Sequence, residues 1–270
     1  MSPVLEVDRR PRATHADAAG LPLVMLHGWG MNLGVFDLLR AELPDCETWA
    51  IDLPGHGQSP WWPGAERFEA QRDAVLAAMP PRCLLVGWSL GAKLALDIAA
   101  NHPERVAALV LIAATPKHMQ SADWPDGMKP EALRAFRRAL AQDWQRTLQD
   151  FIWLQLRGSR NAEEAQRLIE AALAARGAPR LEALAAGLDL LGEVDLRGAV
   201  PRITQPTLVI AGQHDRVTPP DAGRWLAANI PGARFVEVPR AGHAPLASHA
   251  TEVGAALRAF LATLPRSAAA

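Results

Sequence analysis

A chain of 270 residues with a net charge of −1 is long enough to bury a substantial core, and it has no bulk attraction for nucleic acid or an anionic membrane. No uninterrupted apolar run reaches membrane-spanning length, and Pro3, Glu6 and Asp8 precede any apolar stretch, so neither a membrane span nor a secretory signal is expected. Its two cysteines, Cys46 and Cys83, lie in apolar, strand-like runs and read as buried free thiols; the expectation is a reduced, cytoplasmic protein of one large domain or one domain with an insertion.

Residues 4–7 are expected as an edge strand and 9–20 as loop. The run 21–26 reads as a buried strand leading into His27-Gly28-Trp29-Gly30, and 31–43 has helical spacing through Leu33, Phe36, Leu39 and Leu43. A strand at 48–53 ends in the turn-rich stretch Asp52 to Ser59, followed by a helix over 66–79. A strand at 83–86 and a helix at 92–100 flank Gly87-Trp88-Ser89-Leu90-Gly91. Further strands are expected at 106–113, 207–211 and 234–238, with helices at 221–229 and 251–264 and a frayed Ala-rich tail. Alternating strand and helix predicts an α/β fold, a mostly parallel sheet with helices on both faces. Residues 116–200 break the alternation with helical patterns only, the clearest at 131–156 and 162–175. They are expected as a helical lid (116–200) inserted into a core made of 1–115 and 201–270.

Strand, sharp turn and helix with serine at the apex is the context in which G-x-S-x-G has chemical meaning. The turn holds the Ser89 hydroxyl above the carboxyl edge of the sheet, at a helix N-terminus. A serine hydroxyl needs a base, and the base needs a carboxylate to hold its tautomer. His243 stands in the expected place, after the last strand. His27 and His56 line the same rim as competing candidates that more often serve a structural role. For the acid, Asp215 follows the strand 207–211, with Asp123, Asp189 and Asp195 as competitors in the lid. The order Ser89, Asp215, His243 is that of the serine–acid–histidine arrangement on an α/β sheet. The backbone N–H groups of Leu90 and Trp29 are the expected oxyanion donors, and Trp29 and Trp88 the expected pocket lining. No metal-binding spacing, phosphate loop or dinucleotide fingerprint is present, so no metal or cofactor is expected.

Through His27 to Gly30, Asp52 to Ser59, Gly87 to Gly91, Gly212 to Asp215 and Gly242-His243, the chain resembles the α/β-hydrolase superfamily over essentially its whole length. More narrowly it is similar to the pimeloyl-[acyl-carrier protein] methyl ester esterase family of biotin synthesis. That resemblance rests on Leu26 to Asn32, the elbow, Gln145 to Phe151, Val194 to Arg197 and Gly242 to Pro245. It implies hydrolysis of the methyl ester of a pimeloyl thioester on acyl carrier protein, with Ser89 as nucleophile, Asp215 as acid and His243 as base. It also implies an acyl channel lined by Phe151, Ile152, Trp153, Leu154 and Gln155 alongside Trp29, Trp88, Ser89, Leu90 and His243. Arg146 and Arg167 match lid arginines that hold the carrier, whereas Asp150 and Glu163 stand where some relatives have arginine, and Ala92 replaces a second glycine after the elbow. Independently, residues 129–180 carry ten Lys or Arg against six Asp or Glu, a net of +4 that leaves −5 for the remainder, as suits an acidic protein partner. Small esters are expected as further substrates, with a monomeric enzyme acting on neither nucleic acid nor membrane. The competing readings are a broad-specificity short-chain carboxylesterase or lactonase and, from another class, an inert binding protein on the same scaffold.

Overall fold

This computed structural model describes residues 3–12, 20–125 and 127–265; the expected frayed tail from 266 onward and most of the 9–20 loop lie outside the described residues. Among the described residues, seven strands share one sheet: β1 (Val7–Arg10), β2 (Leu23–Leu26), β3 (Thr48–Ile51), β4 (Cys83–Trp88), β5 (Val106–Ile112), β6 (Thr207–Gly212) and β7 (Arg234–Val238). Their order is β1-β3-β2-β4-β5-β6-β7, and every neighbouring pair runs parallel except β1 against β3. The inner strands are continuous apolar runs because both faces are covered. Alternate side chains enter opposite cores: Met25, Val86, Trp88, Val110 and Ile210 one, Val24, Leu85, Leu109, Leu111 and Val209 the other.

The helices are α1 (Asp37–Ala41), α2 (Phe68–Ala78), α3 (Leu90–Asn101), α4 (Pro130–Gln142), α5 (Trp144–Leu156), α6 (Ala162–Arg176), α7 (Leu181–Glu193), α8 (Pro220–Asn229), α9 (Pro245–Ser248) and α10 (Ala250–Leu261). None among the described residues is long and apolar enough to cross a membrane. α2, α3 and α8 pack on one face of the sheet, whereas α1, α9 and α10 pack on the other. α4 to α7 intervene between β5 and β6, and their Leu133, Leu148, Ile152, Ile169, Leu184 and Leu188 join the core that contains Trp29 and Trp88. At the root of this insertion the buried Lys93 of α3 donates to the Pro116 carbonyl (3.2 Å) and the Val194 carbonyl (2.7 Å), and the Leu196 N–H also donates to Pro116 (2.9 Å). Burial pushes the Lys93 ammonium down to about 7.

Several boundaries differ from the sequence expectation, each for a local reason. The edge strand falls at Val7–Arg10 rather than 4–7, so Arg9 and Arg10 are strand, not loop; its charges face outward and pair, Arg10 with Asp37 and Asp8 with Arg40. The helix expected over 31–43 begins with a 3₁₀ turn at Leu33–Phe36, because the Asn32 side chain accepts from the Gly34 N–H (3.0 Å) and caps it. The helix expected over 131–156 is two helices. Asp143 interrupts it in extended conformation, and its carboxylate caps α5 by accepting from the Arg146 N–H (2.9 Å). Residues 181–193, where Gly192 reads as punctuation, form α7. Gly187 is there for packing: a Cβ would sit 2.6 Å from the Trp29 ring.

Candidate active site

Ser89 sits between β4 and α3 with φ 54° and ψ −113°. A non-glycine residue held there costs on the order of 1–3 kcal/mol, which only a well-determined surround sustains. The surround is tight: a Cβ on Gly87 would lie 2.5 Å from the Ala92 Cα, and one on Gly91 would collide with the Leu26 carbonyl of the neighbouring strand β2. The Ser89 N–H donates to the Ile112 carbonyl (3.0 Å), so β5 fixes the turn from its other side.

Three side chains from distant loops meet at this edge. Ser89 Oγ lies 2.9 Å from His243 Nε2, and His243 Nδ1 lies 2.8 Å from Asp215 Oδ2. The His243 and Asp215 side chains are fully buried. A carboxylate only accepts, so Nδ1 carries the imidazole proton and Nε2 is left to accept from the Ser89 hydroxyl. Asp215 is itself oriented: its Oδ1 accepts the N–H groups of Val217 and Thr218, both at 2.8 Å. The Thr218 hydroxyl stands 3.2 Å from His243 Nδ1, a neighbour that no sequence motif signalled. Asp123, Asp189 and Asp195 instead form ion pairs with Arg197, Arg137 and Lys117.

The backbone of His243 is clamped on both sides. Its N–H donates to the Gln155 carbonyl (2.7 Å), and its own carbonyl accepts the Trp88 indole N–H (2.8 Å). This corrects two sequence expectations. Trp88 is fully buried beneath the histidine, not pocket lining, because β4 alternation sends it into the core. Residues 151–155 cannot all line one channel, because consecutive helical residues point about 100° apart. Phe151 faces the cavity beside Ser89, Ile152 is buried in the core, Trp153 is 53% exposed, Leu154 is half-buried, and Gln155 serves through its carbonyl.

The loop after β2 lies against Ser89: a Cβ on Gly28 would touch the Ser89 Cβ at 3.2 Å. Trp29 follows, fully buried, its indole donating to the Leu184 carbonyl of α7 (2.8 Å) and its ring 5.1 and 5.3 Å from Phe151 and Phe136. His27 and His56 tie this loop to the one after β3. His27 Nε2 accepts from the Leu53 N–H (2.9 Å), and His56 Nε2 accepts from the Gly30 N–H (3.3 Å). Both are therefore scaffold rather than base. Asp52, fully buried, accepts from the Leu33 and Gln58 N–H groups and braces the same turn.

Residues 22–250 match the family described as alpha/beta hydrolase fold. The chain belongs to the α/β-hydrolase family. Over 253 residues it is 43% identical to the pimeloyl-[acyl-carrier protein] methyl ester esterase of Stenotrophomonas maltophilia strain K279a, spanning 93% of this chain and 97% of that one. It is 41% identical over 249 residues to the protein of the same name from Xanthomonas campestris pv. campestris strain B100, spanning 91% and 97%. Among solved structures, an esterase (EaEST) from Exiguobacterium antarcticum aligns with a TM-score of 0.84 over 96% of both chains at 23% identity, a likeness of fold.

The cavity of this α/β-hydrolase is lined by Ser89, Trp29, His118, Phe136, Phe151, Leu188, Leu191 and Val217 among others. At about 20 Å³ it has room for roughly one water. Arg146 on α5 pairs with Asp150 (3.1 Å), the residue that stands where some relatives have arginine. Arg167 on α6 donates to the Glu163 carbonyl of its own helix (3.4 Å). Arg157 stacks 5.3 Å from the exposed Trp153 ring.

Burial holds three histidines neutral: His27 is pushed down to about 4, and His56 and His118 to about 3. Unfolded histidine titrates near 6.5, so from pH 6.5 down to about 4 for His27 and about 3 for His56 and His118 the unfolded chain binds protons that the folded hydrolase refuses. Stability therefore falls as pH drops through that window. Calorimetric unfolding at pH 5 in buffers of differing ionisation heat is expected to register uptake of roughly two or more protons, against near zero from these groups at pH 8.

Proposed function

We propose that this α/β-hydrolase removes the methyl group from a pimeloyl thioester carried on acyl carrier protein, releasing methanol and the free carboxylate in biotin synthesis. The reading is carried by the Ser89–His243–Asp215 relay, 2.9 and 2.8 Å long, in a chain 43% identical to an esterase of that name. His243 takes the Ser89 proton as Oγ attacks the ester carbonyl. The oxyanion is held by the N–H of Leu90 at the start of α3 and that of Trp29 on the loop beside Ser89; each such donor is worth about 10²–10³ in rate. His243 returns the proton to the departing methoxide, and then activates a water that frees the acyl group from Ser89. Asp215 stays ionised throughout and fixes the tautomer.

The cavity accommodates far less than a seven-carbon chain, so entry requires α4 to α7 to shift, and residues 116–200 act as a lid over the 1–115 and 201–270 core. The basic character of 129–180 lies on α4 to α6, since Glu182, Asp189 and Glu193 make α7 acidic. An acidic carrier docks on the outer faces of α5 and α6, where Arg146, Arg157, Arg167 and Trp153 are presented. On this reading Trp153 contacts the carrier rather than the acyl chain. The test compares kcat/KM for methyl pimeloyl-carrier thioester with that for free short-chain methyl esters. A preference of at least about tenfold for the carrier form is expected, shrinking as salt rises. Equal rates on both would favour a broad-specificity carboxylesterase instead.

A further inference from the structure

The catalytic cavity is apolar on nearly every side, and besides the Trp29 indole the polar side chains on its wall are Ser89, whose hydroxyl is bonded to His243, and His118. The Trp29 indole N–H is already spent on Leu184. His118 is 94% buried by its 6% exposure, and its backbone is fixed, its carbonyl accepting from the Met128 N–H (2.7 Å). Its imidazole has no hydrogen-bond partner among the described residues. Its ring nitrogens are not among the sealed side-chain atoms that lack a partner, so packing does not close them off, and the ring lines the cavity with its bonding groups free for a ligand.

The chemistry of the scissile ester leaves His118 unused. The carbonyl oxygen goes to the Leu90 and Trp29 amides and the alkoxy oxygen to His243, which has no contact with His118 within hydrogen-bond distance. The attacking water is held by His243, so what is left for His118 is a polar atom elsewhere on the substrate. Building on the function proposed above, we propose that His118 is a specificity-determining residue: its imidazole hydrogen-bonds the second carbonyl of an acyl substrate that bears one at its far end. The class is the monomethyl ester of a dicarboxylic acyl thioester, as opposed to the methyl ester of a simple fatty acid. Burial keeps the ring neutral, with one N–H to donate, so it recognises a carbonyl without placing a charge in an apolar space.

The experiment measures methanol release from two small substrates, the S-ethyl thioester of monomethyl pimelate and methyl heptanoate, and reads the ratio of their kcat/KM values. His118→Phe, which suits a wall already made of Phe136 and Phe151, is expected to lower the ratio about tenfold, mainly through KM. His118→Gln, which keeps a donor and an acceptor, is expected to hold it within about threefold of the parent. Should the Phe variant fail to fold, His118→Met carries the same expectation. An unaltered ratio in the apolar variant, or a Gln variant as impaired as the Phe variant, would mean that His118 merely packs, and overturns the proposal. A parent enzyme that cleaves methyl heptanoate but not the thioester would sink the function proposed above instead, so the two failures are distinguishable.

Discussion

Ser89→Ala is expected to lower kcat for methyl ester hydrolysis by about 10⁵–10⁶-fold and to abolish labelling by a fluorophosphonate. The change deletes the only atom of the elbow placed 2.9 Å from His243 Nε2, and no other hydroxyl lies within reach of that nitrogen among the described residues. It leaves the fold alone. Alanine tolerates φ 54° about as well as serine does, the Ser89 N–H to Ile112 bond is backbone, and the hydroxyl contributes no other hydrogen bond. The thermal midpoint should therefore stay within about 2–4 °C of the parent, the shift that 1 kcal/mol produces in a chain of this size. Turnover within tenfold of the parent in a folded variant would remove Ser89 from the chemistry, and the proposed reaction with it.

Asp215→Asn is the sharper test, because it changes almost nothing in shape. The two backbone N–H groups of Val217 and Thr218 bind Oδ1 and hold the side chain in its rotamer, so the new amide nitrogen takes the Oδ2 position facing His243 Nδ1. An amide N–H there can only donate, which turns Nδ1 into an acceptor and puts the imidazole proton on Nε2. Nε2 then has no lone pair for the Ser89 proton. A loss of about 10⁴ in kcat is expected, with KM little altered, from pre-steady-state and steady-state measurements near neutral pH. A loss smaller than about tenfold would show that the carboxylate does not set the histidine's tautomer.

Much of the site could be read locally because its signals are local. The strained turn at Ser89 requires small neighbours on both sides, and Gly87 and Gly91 lie within two residues of it. Asp215 and His243 are each announced by a strand ending in a short glycine-bearing loop, and the parallel sheet necessarily gathers those loops at one edge. Where reading along the chain erred, helical geometry or a distant contact had overruled the local pattern. Gly192 looks like punctuation, yet α7 runs through it, and within the same helix Gly187 leaves the space that Trp29, 158 positions earlier in number, needs. Residues 151–155 form one contiguous string, but the helix turns successive side chains to different surroundings, so Phe151 meets the cavity while Trp153 faces out. His118 carried no motif at all; only the folded insertion puts its ring on the wall that holds Ser89.

By itself, then, the order of residues determined the layered α/β architecture, the strained elbow and the identity of the three groups at the sheet edge, since periodicity, turn chemistry and backbone strain act over a handful of neighbours. The tertiary structure alone decided that Trp88 and Gln155 clamp the histidine, that Trp29 is tied to α7, and which faces of α4 to α7 close over the serine. Those outcomes depend on side chains more than sixty residues apart competing for the same buried volume, and no local pattern encodes which of them wins.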